Sequence, residues 1–325
     1  MTDKYRLLPI QKPDLWKFYK LAVDSFWTPE EIKLDYDKKQ WTDILTDNER
    51  HYLSHILAFF AEADGIVNEN LLTRFMTDVQ LPEAQYFYAF QMVIENIHSE
   101  TYQLILDAYI DDAQEKERLL CGSTTIPVVQ KKAEWAQKWI SSKDATFADR
   151  LLAFICIEGI FFSGAFAAIF YIRKRGLLPG LTQANSFISR DEGLHQRFGC
   201  HLYRYYIADA EKSTRMVSII KEAVEIEKEF QRTALPVSLL GMNCDRMCEY
   251  IEYIADFTLG MLGHPVMYGT ANPFDFMHLI SLDSNENFFE VKSTNYSIGA
   301  SVEKQNGVYG SAGSGSSENK VEDDW

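Results

Sequence analysis

The sequence predicts an all-α fold, an antiparallel bundle of long helices in a single large domain. Three observations carry that reading. Capping residues open apolar stretches with helical periodicity, strand-like alternation is nearly absent, and the connections between stretches are short.

Taken in order, Thr28, Pro29, Glu30 and Glu31 read as an N-cap, a first-turn proline and two acids, the signature of a helix start. Thr46 and Glu49 form a capping box, and the helix it opens is expected to run to about Asp78. Pro82 opens another, through Glu95, His98 and Tyr102, to about Ile110. Shorter helices are expected over Ala113 to Leu120 and Pro127 to Ile140. Thr146 caps a long apolar helix that ends in Arg173, Lys174, Arg175 and Gly176, basic groups that suit a helix C-terminus. Three more follow, over about 181–208, 213–234 and 244–262. Beyond Phe289 the apolar periodicity stops. Residues 310–317 read GSAGSGSS, a flexible linker, and the chain finishes on SENKVEDDW. The expected division is a helical domain over 1–289 and a flexible C-terminal tail over 290–325. An acidic arm ending in a large aromatic is either a plain disordered end or a docking peptide, the arm giving reach and the ring an anchor.

Composition narrows the function. The chain has 325 residues, 46% apolar and 24% charged, which excludes a disordered, collagenous or disulfide-dense protein. With 32 basic and 47 acidic residues its formal net charge is −15, so a nucleic acid polymer would be repelled. Five cysteines without CxxC spacing, and a charged start without an apolar centre, predict a reduced cytoplasmic protein. Residues 151–170, LLAFICIEGIFFSGAFAAIF, are long enough to span a bilayer. However, Glu158 lies near the middle, where a carboxylate in lipid costs roughly 3 kcal/mol. The expectation is no membrane span but a core helix whose acid is paired or metal-bound.

The chemistry concentrates in a repeated motif. Glu95-x-x-His98 and Glu192-x-x-His195 both fall on predicted helices, where positions three apart share a face. Each offers a carboxylate and an imidazole to one point in the interior. Two further acids sit in apolar surroundings: Asp64 within ILAFFAEADGIV (56–67), and Glu158. The order is acid, ExxH, acid, ExxH, with 31 residues from Asp64 to Glu95 and 34 from Glu158 to Glu192. Four carboxylates alone would repel in a dry core; two divalent cations offset that charge and two imidazoles complete the shells. Inward acids with paired ExxH motifs are already characteristic of ferritin-like di-iron and di-manganese carboxylate proteins, so the assignment is a match of pattern. The predicted fold is thus a ferritin-like helical bundle with a di-metal carboxylate site in its core. Asp275-x-x-His278 lacks a matching set and reads as structural, as do His51, His55, His201 and His264.

These residues resemble a known family, the small, radical-generating subunit of class I ribonucleotide reductase, in its eukaryotic and DNA-virus branch. The resemblance runs from about Trp16 to Phe289. It is carried by SFWTPEE (25–31), FFAEADGIVNENL (59–71), ENIHSETY (95–102), EGIFFSGAF (158–166), SRDEGLH (189–195), NPFDFM (272–277) and NFFE (287–290). It implies that Asp64, Glu95 and His98 bind one iron and Glu158, Glu192 and His195 the other, two ions per chain. Manganese suits the same donors. It implies that Tyr102, one helical turn beyond His98, carries a stable radical formed with dioxygen, inside an apolar pocket of Phe162, Phe166 and Ile188. Trp27, Asp191 and His98 match the family's transfer relay, and Tyr296 matches the relay tyrosine of the tail, with Tyr309 competing. The implied partners are a second copy of the chain and a separate large catalytic subunit, reached through the tail, where ribonucleotides are reduced. Two other readings stay open: another ferritin-like di-iron oxidase, and an iron-binding protein without radical transfer. Tyr102, Trp27 and the acidic aromatic tail speak against both.

Overall fold

The computed structural model describes residues 7–121, 127–234 and 236–277. The expected tail, with Tyr296 and Tyr309, lies outside the described residues, as do His278 and the NFFE block. Among the described residues there is no strand, and the helices pack as a bundle.

Several helices begin where a side chain satisfies the free N–H groups of the first turn, and others on a first-turn proline. α1 (Pro13–Asp24) starts on a first-turn proline; it was not among the expected helices. Thr28 and Glu31 do form a capping box, yet it opens only a 3-10 turn, Pro29–Glu31, because Ile32 is already extended. The true helix there is α2 (Asp35–Asp43). α3 (Asp47–Asn70) is opened by the Thr46/Glu49 box, passes through a π turn (Leu71–Phe75), and ends at Met76–Asp78. α4 (Pro82–Tyr109), α5 (Ala113–Leu120) and α6 (Pro127–Ser141) lie close to expectation. The long apolar run is α7 (Phe147–Cys156), a π turn (Ile157–Phe161) and α8 (Ser163–Lys174). α9 (Pro179–Tyr206), α10 (Met216–Glu229) with a third π turn (Phe230–Ala234), and α11 (Cys244–Met261) complete the bundle.

α3 and α4 pack along one another on one side of the core, while α9 packs against α7, α8 and the π turn between them on the other. The run Phe147–Lys174 is the only one of the described helices long and apolar enough to cross a membrane, and 94% of its apolar window is buried inside the bundle. That is the environment of a core helix.

One tertiary cap fixes α9. Leu178 precedes it in a left-handed conformation (φ 49°), with its N–H on Gln40 Oε1 at 2.6 Å. Asp37 of α2 then accepts the N–H groups of Gly180 and Leu181 at 2.9 and 2.7 Å, and the Tyr109 hydroxyl at 2.7 Å. Gly180 is required there: a Cβ would stand 2.4 Å from the Lys33 carbonyl oxygen.

Candidate metal centre

Four segments converge on the centre of the bundle. α3 brings Asp64, α4 brings Glu95 and His98, the π turn after α7 brings Glu158, and α9 brings Glu192 and His195. All six are buried. Their ligand atoms form two groups, Asp64 with Glu95 and His98, and Glu158 with Glu95, Glu192 and His195; within each group the atoms lie within 4.8 Å of one another. Glu95 belongs to both. The division that the resemblance implies gave it to one group only.

His98 Nδ1 faces Glu192 Oε1 at 3.0 Å and Glu95 Oε2 at 3.3 Å. His195 Nδ1 faces Glu95 Oε1 and Glu192 Oε2, both at 3.1 Å. Sequence reasoning missed Gln91, whose amide donates to Glu95 Oε1 at 3.0 Å and Glu158 Oε1 at 3.1 Å. The available signal was a polar residue one helical turn before Glu95 on the same face.

The electrostatics fit a pair of cations. Burial, and then the charge of Glu95, pushes the Asp64 carboxyl well above its usual range. Burial and Glu192 do the same to Glu158. Burial opposes the charged form of both imidazoles, but the surrounding carboxylates override it and hold His98 and His195 protonated. Burial would also raise Glu192, yet its hydrogen bonds with Glu158, His195 and His98 hold it down. Without cations the cluster must therefore take up protons; divalent ions replace that charge. Asp64 Oδ2 and Glu158 Oε2, buried without any hydrogen-bond partner, are oxygens ready for such ions. The hard carboxylate and imidazole donors suit a di-metal site.

Tyr102 stands one turn from His98, fully buried, and its hydroxyl has no hydrogen-bond partner. Burial, then Asp64, pushes the phenol well above its ordinary pKa. Phe60 stacks on it, ring centroids 4.6 Å apart and planes 5° from parallel. Phe162 and Phe166 close on Phe60 at 5.5 and 5.1 Å, and Ile188 is buried on α9. Phe60 was not singled out from sequence, since one aromatic in an apolar helix looks like any other.

Trp27 donates its indole N–H to Asp191 Oδ2 at 2.8 Å, and His98 Nε2 lies 3.2 Å from the same oxygen. Arg190 donates to the other oxygen at 3.0 and 3.1 Å. Burial alone would raise the Asp191 carboxyl; Arg190, His98 and Trp27 together hold it below the usual range. A cleft of 340 Å³ runs from this side to Glu158 and Glu192, past Phe166, Arg173 and Tyr253. Of the other histidines, His201 bonds Asp14 at 2.7 Å, and burial pulls His55 down to about 4; neither joins the cluster.

Comparison with known proteins agrees with this geometry. The family model for the ribonucleotide reductase small chain matches residues 4–273. The protein is 52% identical to the ribonucleoside-diphosphate reductase small chain of Nicotiana tabacum, over 94% of its own length and 92% of the relative. It is 53% identical to the small chain of Encephalitozoon cuniculi, over 90% and 89%. The ribonucleotide reductase Rnr4 homodimer of Saccharomyces cerevisiae superposes with a TM-score of 0.78 at 36% identity, covering 88% of this chain and 90% of that one. The bundle is ferritin-like, as the pattern of acids and ExxH motifs predicts. With the family matched over most of its length and eukaryotic relatives more than half identical, the chain belongs to the ribonucleotide reductase small-chain family, the small subunit of a ribonucleoside-diphosphate reductase.

Proposed function

We propose that the chain generates and stores a tyrosyl radical on Tyr102 and passes it to a large catalytic subunit, where ribonucleotides are reduced. The observation that carries this reading is Tyr102 itself: a buried phenol with no hydrogen-bond partner, one turn from a ligand histidine and stacked on by Phe60.

Asp64, Glu95 and His98 would hold one metal ion and Glu158, Glu192 and His195 the other, with Glu95 in reach of both. Two iron ions per chain are the first choice, and manganese suits the same donors. When bound, such a pair supplies the one-electron oxidising power, drawn from dioxygen, that no side chain provides alone. Tyr102 then loses an electron and its hydroxyl proton and becomes a neutral phenoxyl. The proton leaves towards the acids of the cluster, of which Asp64 is the charge felt most strongly at the phenol. Phe60, Phe162, Phe166 and Ile188 keep water and reductants from the ring. Asp191 orients His98 through Nε2, leaving Nδ1 towards the acids, and ties that imidazole to Trp27 as the first step outward.

The outer steps belong to the same proposal. Residues 290–325 form a tail that docks on the large subunit through Trp325, with Tyr296 as the relay between the proteins. The chain pairs with a second copy. An exposed apolar stripe on α4 supports this: Tyr86, Val93 and Leu104, 43%, 46% and 46% exposed, at spacings that keep them on one face. Five free cysteines suit a reducing cytoplasm.

An electron paramagnetic resonance spectrum, recorded after adding ferrous iron and oxygen to metal-free protein, tests the central claim. A tyrosyl signal that disappears in Tyr102→Phe is expected; a signal unchanged in that variant would place the radical elsewhere.

A further inference from the structure

A second buried polar network lies beside the metal cluster, and radical chemistry gives it no role. Lys132 of α6 is 2% exposed and forms an ion pair with Glu227 of α10, which is 0% exposed. Its ammonium also donates to the carbonyl oxygen of Phe161 at 2.9 Å and lies over the rings of Phe230 and Phe59, at 3.7 and 4.1 Å. On the far side, Gln231 donates to Glu227 Oε1 at 3.0 Å and accepts the Tyr52 hydroxyl at 2.8 Å. α6, the π turn after α7, α10 and α3 are thus tied at one point.

The fold makes room for this network at a cost. A Cβ on Gly164, at the start of α8, would stand 2.5 Å from Gln231 Nε2 and 2.6 Å from Glu227 Oε1. Only glycine fits. A buried ion pair is seldom more stable than well-packed apolar side chains of the same volume, so its use is better sought in what it positions.

What it positions is the π turn Ile157–Phe161. Phe161 is the last residue of that turn, Glu158 the second. A π turn departs from the i+4 pattern of the flanking helices, and such turns are rare and usually single. Lys132 grips the carbonyl at its end from outside the helix, and Trp135, one turn further along α6, packs edge-on against the Phe161 ring at 5.0 Å.

We infer that Lys132 is a positioning residue for the metal centre: by holding the Phe161 carbonyl, it fixes the π turn in the register that presents Glu158 to Glu95, Glu192 and His195. The inference rests on the metal-site reading above.

The test replaces both charges at once, Lys132→Met with Glu227→Gln, because removing one alone strands the other in the core and can prevent folding. A second pair, Lys132→Gln with Glu227→Gln, keeps a neutral donor near the Phe161 carbonyl. Ferrous ion is titrated anaerobically into the metal-free proteins, and amide hydrogen exchange is followed over 157–166. Wild type is expected to bind two ions. The Met variant should bind one ion as wild type does and the other at least tenfold more weakly, with faster exchange at the π turn; the Gln variant should fall between. If both folded variants bind two ions with wild-type affinity, even with a changed unfolding temperature, the network is merely structural and the inference is wrong. If wild type itself does not bind two ions, the metal-site reading fails and takes the inference with it.

Discussion

Trp27 and His98 share one carboxylate oxygen. Asp191 Oδ2 accepts the indole N–H at 2.8 Å and lies 3.2 Å from His98 Nε2, while the two rings stand 6.0 Å apart at an angle of 25°. A single acid thus couples a residue near the start of the chain to the centre of the cluster, and it remains charged because Arg190 holds the other oxygen.

Asp191→Ala should separate assembly from transfer. The carboxylates facing His98 Nδ1 remain, but the ring loses its orienting partner and Trp27 loses its acceptor. Losing such a support typically costs about 10–100-fold in metal affinity or activity. Turnover with the large subunit should fall by more than the radical yield does. Equal losses in both, measured on the same sample, would show that Asp191 serves assembly alone.

Tyr102→Phe should fold at least as stably as the wild type. The hydroxyl is buried without a partner, and such a group costs about 1–3 kcal/mol. Its removal leaves the stack on Phe60 intact. Thermal unfolding of the two metal-free proteins checks this, and a large drop in the midpoint would mean that the hydroxyl has a partner in solution.

The metal-free protein should lose stability as pH rises. Asp64 and Glu158 have raised pKa values in the folded state, so above their ordinary 3.8 and 4.5 the folded chain holds protons that the unfolded chain has released. His98 and His195 are raised too, so their contribution is complete below 6.5 and is lost as pH climbs through their folded values. Glu192 is lowered and acts the other way, but only below its ordinary 4.5. Between pH 6 and 8 the unfolding midpoint should therefore fall, and added ferrous ion should remove or reverse the slope, since deprotonated ligands bind it better. A midpoint rising with pH in the presence of chelator would contradict this assignment of charge.

Asp37→Ala should destabilise the fold by about 3 kcal/mol. It removes the cap of α9, worth up to about 2 kcal/mol, and leaves the Tyr109 hydroxyl without its buried acceptor. Because α9 carries Asp191, Glu192 and His195, weaker metal binding should accompany the loss. Denaturant titration checks the magnitude, and a change under about 1 kcal/mol would mean that the helix start is held by other contacts.

The tail gives the last prediction. A synthetic peptide ending in Trp325 should inhibit reduction by competing for the large subunit, without altering the radical signal. Truncation after Ser317 should preserve the signal and abolish turnover. Full turnover by the truncated protein at low large-subunit concentration would show that the last eight residues take no part in docking.

Much of this was legible in the chain because its signals are local. The box at Thr46 and Glu49, Pro82 at a first turn, and two ExxH motifs each act within one turn of helix, and all lie where they were expected. What was not legible depends on partners distant in sequence. The end of the Thr146 helix was legible, but the π turn inside it was not, since an altered hydrogen-bond register leaves no mark on composition. Phe60 became distinctive only once Tyr102 stood beside it, and Gln91, whose local mark is its place one turn before Glu95, also reaches the distant Glu158. Thr28 to Glu31 carried every sign of a helix start and opened only a single 3-10 turn.

The near-parallel stack of Phe60 on Tyr102 also limits how the phenol can turn. With its neighbour lying flat 4.6 Å away, the ring cannot rotate about its Cβ bond without driving an edge into Phe60. The angle between the ring plane and each β-hydrogen is therefore held in one narrow well. Hyperfine coupling to those two hydrogens depends on that angle, so unpaired spin on this ring would report a single rotamer. Its spectrum would be sharp in the β-hydrogen splittings, and warming would leave those splittings in place until the stack itself loosened.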